Sequence, residues 1–472
     1  MSQTTLSHSS TGTARRSLPP GPRGHFIMGM IPELRRDLIG MYREAARQYG
    51  DVVTLPFAGL NTFALSHPDH FKYVLQDNNR NYHRNVFLNS IVKLFTGYNL
   101  FTLDGDDWLS RRRLMQPAFH RQRIAAFGAL MTDSTLAMLE QWERGLEGQR
   151  LEIDQEMMKL TLRVAGKALF SVDLLGEANA LGEAFTHISE FVNYRMGAPF
   201  PPPLFLPTRQ NRRFKQARQT LDRTIYGMIQ ERRQASHLLP ARAGGEQDGG
   251  GDLLAMLMQA RDEDTGEGLT DEQVHNEVAT LMFAGHETTA VTLTWAFYLL
   301  SQHPEVERKL LTELAEVLGG RLPAMTDLPN LRYTRMVIEE TLRLYPPAFG
   351  VTRQSVDEDE IGGYRLPANS SVSLIFYNAH RDPRWWDDPE SFDPERFTPE
   401  RSENRPHFAY APFGGGPRLC IGSAFALTEA QLVLATVAQR YQLRLIPGHP
   451  VRPNPIFVLR TSHGLPMTVQ RR

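Results

Sequence analysis

Cysteine is nearly absent: Cys420 is the single one in 472 residues. Alone it can form neither an internal disulfide nor a tetrahedral zinc site. No apolar run reaches the roughly 18 residues of a transmembrane helix. The segment Met1–Ser17 is rich in Ser and Thr and has no apolar core, which argues against a secretory signal. Neither sign of charge is in excess, with 52 Lys+Arg against 53 Asp+Glu, so there is no global basic field for nucleic acid. No internal repeat is evident. These absences predict a cytoplasmic protein with no transmembrane anchor and no nucleic-acid partner.

What is present gathers around that cysteine, in Phe413-Gly-Gly-Gly-Pro-Arg-Leu-Cys420-Ile-Gly422. Glycines let backbone pass close to a flat ligand, amide N–H groups can aim at the sulfur, and a cation stands nearby. Those are the needs of an axial thiolate on a heme iron. A buried structural cysteine, or a glycine turn before a helix, would also fit the bare composition. A phosphate loop fits poorly, because no Lys-Ser/Thr follows the glycines. The spacing Phe413-x-x-Gly416-x-Arg418-x-Cys420-x-Gly422 resembles, at every fixed position, the heme-binding signature of the cytochrome P-450 family, the heme-thiolate monooxygenases.

Three further motifs follow that family's order. Ala284-Gly285-His286-Glu287-Thr288-Thr289 lies in a predicted helix. There a glycine and a threonine that bonds back one turn can open a groove, and an acid beside a hydroxyl can relay protons. The motif resembles the oxygen-activation element of the family. The resemblance implies that Thr288 bonds dioxygen or its water and that Glu287 brings in protons, with Ala284 and Gly285 against the cofactor. Glu340-Thr-Leu-Arg343 puts acid and base on one helical face. With Arg396 of Pro394-Glu-Arg-Phe397 it resembles the structural Glu-x-x-Arg element. Trp108-Leu-Ser-Arg-Arg112 resembles the Trp-x-x-x-Arg that serves the heme propionates, with Arg353 and Arg418 as further candidates. Tyr82 and His83 read as ordinary loop residues.

The resemblance implies a mainly α fold with a smaller β-rich portion and a heme b between two central helices. Composition reads 1–17 as a flexible tail and the glycine-rich 240–251 as a flexible surface loop; the resemblance implies one domain over 18–472. It implies O2-dependent hydroxylation or epoxidation of a hydrophobic small molecule: terpenoid, fatty acid, steroid or macrolide-like. By the same resemblance the pocket is lined by the segment 85–101, including Phe87, by the apolar loop 199–207, and by Phe283, Ala348, Phe349 and Phe457. Too little chain follows Cys420 for a fused electron-transfer domain. A ferredoxin or flavodoxin-type donor with its NAD(P)H reductase is therefore expected. Arg111, Arg113, Arg121 and Arg123 offer it a basic patch. A peroxide-dependent peroxygenase, a redox-neutral isomerase or dehydratase, and a non-catalytic ligand-binding heme protein are the alternatives.

Periodicity predicts a hairpin over 51–66, largely amphipathic helix over 122–176, and helices over 271–303 and 330–345. It also predicts paired strands within 364–377 and a closing hairpin of 457–460 with 465–469.

Overall fold

The computed structural model describes residues 17–57, 60–145, 150–176, 178–198, 201–238, 252–261, 266–455 and 457–472. The expected tail (Ser17 apart), the 240–251 loop, and Pro199 and Phe200 of the apolar loop lie outside these residues.

The organising element is the helix Asp271–Gln302. A capping box starts it: Thr270 Oγ1 accepts the Gln273 N–H, and Gln273 Oε1 accepts the Thr270 N–H. It ends where Pro304 begins the next helix, Pro304–Leu318. Apolar residues occur on most of its faces, and it is buried along most of its length, as a core helix must be. Its most extensive neighbour is the helix Ile153–Phe170. Its C-terminal half joins Gly128–Gly145, Arg332–Leu344 and Ser423–Arg440 in one apolar core. Its N-terminal half shares a second core with Val86–Thr96, Ala178–Gly197, Arg209–Leu238 and Leu253–Gln259. Among the described residues, no helix is long and apolar enough to cross a membrane.

The largest sheet has five strands in the order Val52–Phe57, Leu60–Leu65, Ser371–Leu374, Val351–Ser355, Tyr82–Arg84. Only the Leu60–Leu65/Ser371–Leu374 pair is parallel. At one edge the register sets Arg84 directly opposite Arg353. The expected first hairpin is present, as are the two long helices.

The 122–176 stretch is largely helical, as expected, with a short strand, Arg150–Glu152, that pairs with Pro466–Arg471 far away in sequence. Two expectations are corrected. Tyr364–Leu366 and Ser371–Leu374 do not pair with each other. The first pairs with Asp359–Ile361 and the second joins the large sheet, while Phe376–Ala379 is a helical turn. The closing hairpin is also two separate pairings. Leu459–Thr461 lies beside Pro453–Pro455, and Pro466–Arg471 lies between Arg150–Glu152 and Tyr441–Leu445. Alternation marks a strand but not its partner.

Candidate active site

The loop before Ser423–Arg440 holds its shape through positions where only glycine fits. Gly416 has φ +65, and a Cβ there would lie 1.9 Å from the Leu75 carbonyl oxygen. The Cys420 N–H donates to the Phe413 carbonyl at 3.1 Å, closing the loop. Burial pushes the Cys420 thiol up, while a Gly422 N–H bond and the Arg112 charge pull it down. Cys420 keeps accessible surface. Ala284 shows the same signature: it is exposed midway along a helix whose other faces are packed. Cys420 and Ala284 thus both keep accessible surface.

Along that helix Thr288 Oγ1 donates to the Ala284 carbonyl at 2.8 Å and Thr289 Oγ1 to Gly285 at 3.4 Å. The back-bonding expected of the threonine is there, but the helix stays unbroken through Asp271–Gln302. A Cβ on Gly285 would meet nothing nearer than Ala165 Cβ at 3.9 Å, so the glycine leaves room without being sterically required. Glu287 turns away from the exposed face. It is fully buried and bonded to Arg460 Nε at 2.8 Å, with the Ser189 hydroxyl at 3.5 Å. Burial raises its pKa and Arg460 opposes that rise. His286 beside it is buried against Phe185, and burial depresses it to about 4.

The cationic side of the site is larger than the sequence suggested. Trp108 is buried on the helix Gly105–Met115, and the Arg418 guanidinium lies 4.4 Å from its ring centre. Arg112 is half-buried and senses the Cys420 thiol. Arg353 is buried and depressed to about 10 by desolvation, then by repulsion from Arg418. Arg84 is pushed well down by burial and by repulsion from Arg353 and Arg418. Asp104 is the acid among them; it pairs with Arg418 and accepts the Arg84 N–H at 3.0 Å. Arg84 Nε is buried and, among the described residues, has no hydrogen-bond partner. Three guanidinium groups around one carboxylate leave a deficit of negative charge that a bound dicarboxylate would fill. Heme carries two propionates, so the donor set fits it. No local motif marks Arg84; only the strand pairing with Arg353 reveals it.

The structural acid–base element forms as expected. Arg343 donates to both Glu340 oxygens at 2.6 and 2.7 Å, and Arg396 Nε lies 3.4 Å from Glu340, all essentially buried. Tyr82 is buried and donates to Asp359 at 2.7 Å, and His83 is exposed.

Of the pocket candidates, Phe283 sits between Phe95 and Phe457, with ring centres 5.4 and 5.3 Å away. Ala348 is exposed, Phe349 packs on the cluster around Ile39 and Tyr377, and Phe87 is 55% exposed. The expected basic patch loses a member. Arg111 turns inward to Glu277, at 3.5 Å, with only 11% of its side chain exposed.

A family model for cytochrome P-450 matches residues 19–468. This chain belongs to the cytochrome P-450 family. It is 39% identical over 409 residues to cyclooctatin synthase of Streptomyces melanosporofaciens, covering 86% of each protein. It is 37% identical over 442 residues to cyclooctat-9-en-7-ol 5-monooxygenase of the same organism, covering 93% of this chain and 90% of that one. Pentalenene oxygenase of Streptomyces avermitilis is 33% identical over 406 residues, 86% of this chain and 87% of the relative. The fold is therefore the P-450 fold, the cofactor class is heme-thiolate, and the protein is an oxidoreductase of the monooxygenase class.

Proposed function

We propose that this P-450 inserts one atom of O2 into a terpenoid, by hydroxylation or epoxidation. The observation that carries the reading is the accessible Ala284–Thr288 face of the central helix, next to an aromatic wall of Phe95, Phe283 and Phe457, together with the accessible Cys420. The terpenoid class rests on the names of the relatives, a cyclooctat-9-en-7-ol 5-monooxygenase and a pentalenene oxygenase.

In this reading the prosthetic group is heme b, which Cys420 would hold through its thiolate, with Phe413 and Arg418 in the same loop. Bound heme supplies thiolate-assisted O–O cleavage. The residues of the chain do the rest. Arg84, Arg112, Arg353 and Arg418 would neutralise the two propionates, and Trp108, which lies under Arg418, could donate its indole N–H. Thr288, its hydroxyl anchored to the Ala284 carbonyl, can rotate to hand a proton across the exposed helix face. Glu287, one residue earlier, holds the proton supply and is kept in place by Arg460. The aromatic wall excludes water and selects an apolar substrate. Ala348, Phe349 and Phe87 extend it.

Electrons come from a ferredoxin or flavodoxin-type protein served by an NAD(P)H reductase. Arg113 and Arg121, both exposed, remain available to dock its acidic face. A lone cysteine suits a reducing compartment, and we assign the protein to the cytoplasm.

The test is turnover with NAD(P)H, a surrogate ferredoxin and reductase, and a panel of terpenoid hydrocarbons and alcohols under 18O2. The expected product carries one 18O atom. Turnover with peroxide alone, or rearrangement without label, would replace the reading with a peroxygenase or an isomerase.

A further inference from the structure

The central helix carries a second buried acid, Glu277, two turns before Ala284. Both of its oxygens accept the Leu100 N–H, at 3.0 and 3.1 Å, and Arg111 Nε lies 3.5 Å from one of them. Leu100 belongs to the connection from Gly97 to Asp104, between the helices Val86–Thr96 and Gly105–Met115.

That connection is fitted to the helix along its length. Gly97 has φ +62 and lies so close to Asn276 that a Cβ would stand 2.3 Å from Nδ2. The Asn99 carbonyl oxygen Oδ1 accepts the N–H groups of Phe101 and Thr102, at 2.8 and 3.2 Å. At the far end the Leu103 carbonyl accepts from Arg418 at 3.0 Å, Asp104 holds Arg418, and the Arg84 guanidinium lies over the Phe101 ring at 4.5 Å. The connection thus runs from Glu277 to the arginine cluster.

We propose that Glu277 is a positioning residue: it pins the connection from Gly97 to Asp104 against the long helix, and through it fixes the arginine cluster and one wall of the pocket. What the connection serves rests on the function proposed above; the pinning is a property of the polypeptide and can be measured without turnover.

The pin has an electrostatic signature. Burial pushes the Glu277 carboxyl up to about 7, against the pull of Arg111 and the Leu100 N–H. Of the other charges on the elements packed here, Asp106, Asp107 and Arg113 of Gly105–Met115 are exposed, and several are engaged elsewhere. Asp222 of Arg209–Leu238 faces His275, Lys93 lies over Tyr98, and Arg163 and Lys167 pair with Asp173. The packed side chains of Leu253–Gln259 are apolar. If the connection lifts, Glu277 meets water and returns toward the ordinary value of 4.5. The lifted form then binds its proton less tightly than the pinned form. Lifting is therefore favoured as pH rises, by roughly tenfold between pH 6 and pH 8.

Amide hydrogen exchange of the heme-loaded enzyme tests this at the Leu100 N–H, corrected for the intrinsic pH dependence of exchange. Protection should fall roughly tenfold from pH 6 to pH 8 in the wild type and be flat in Glu277→Gln, which cannot ionise. Arg111→Gln removes the opposing charge and should move the transition to higher pH; it decides the matter if Glu277→Gln fails to fold. A flat wild-type profile, an unchanged slope in Glu277→Gln, or an unmoved transition in Arg111→Gln would each overturn the proposal. A protein with the expected exchange but no oxygenation of any terpenoid keeps the pin and discards the function.

Discussion

The Arg460 guanidinium holds the carboxylate of Glu287: Nε donates at 2.8 Å, and Nη2 lies 2.5 Å from the same oxygen. The pair links the last third of the chain to the middle of the central helix, with Glu287 fully buried. An acid so held is oriented and not free to sample solvent, with burial raising its pKa and Arg460 opposing the rise. Proton supply to Thr288 then depends on how firmly Arg460 grips. Arg460→Gln strands Glu287 as an unpaired buried carboxyl, costing about 3–5 kcal/mol of stability. It also raises the pKa of Glu287 further, so the neutral acid persists to higher pH. The expected result is a lower melting temperature and a pH profile of product per NAD(P)H displaced upward, with Arg460→Lys closer to wild type. An unmoved pH profile in a folded variant would separate Arg460 from proton supply.

Thr288 and Cys420 make separable predictions. Thr288→Ala should leave the carbon monoxide difference spectrum intact while oxygen consumption is diverted to peroxide, read as peroxide released per NAD(P)H. Cys420→Ala should remove the thiolate-type Soret band itself. A variant at 420 that kept the band would sink the ligand assignment.

The arginine cluster should behave oppositely with and without heme. In the apoprotein Arg353 and Arg84 repel each other and Arg418, so Arg353→Gln relieves strain and should not lower the apoprotein melting temperature. In the loaded enzyme the same change removes a charge-assisted bond of about 1.5–3 kcal/mol, a loss of roughly tenfold to a hundredfold in heme retention. Transfer of heme to an acceptor protein measures it. Equal loss of stability in both forms would mean that Arg353 is merely structural.

These tests fall on both sides of what could be read from sequence. The Glu340–Arg343 pair was legible because its two members lie within one helical turn, whereas Arg396, from a later loop, was reached only through the family resemblance. The long helices were legible because their caps and prolines are local. Arg84, Arg460 and the Glu277–Arg111 pair were not, because each gains meaning only across a sheet register or between helices far apart in sequence. The same limit explains why alternation located the strands at 364–377 and 457–469 but assigned them the wrong partners. It also explains why Arg111, read as part of a surface patch, lies inside.

Glu429 offers a test of the interior itself. It lies nine residues after Cys420 on Ser423–Arg440, is fully buried, and neither carboxyl oxygen has a hydrogen-bond partner among the described residues. Burial alone raises its pKa well above the ordinary 4.5. The folded protein therefore keeps this proton while the unfolded chain loses it. Stability contributed by the protonated group is complete below the unfolded value and declines by about 1.4 kcal/mol per pH unit as pH climbs from there toward the folded value. Glu429→Gln has nothing to ionise. Its melting temperature should draw level with or exceed that of the wild type as pH is raised from 5 to 8, the difference growing with pH. A gap that stays constant across that range would mean that Glu429 meets a cation or water network when the protein is in solution.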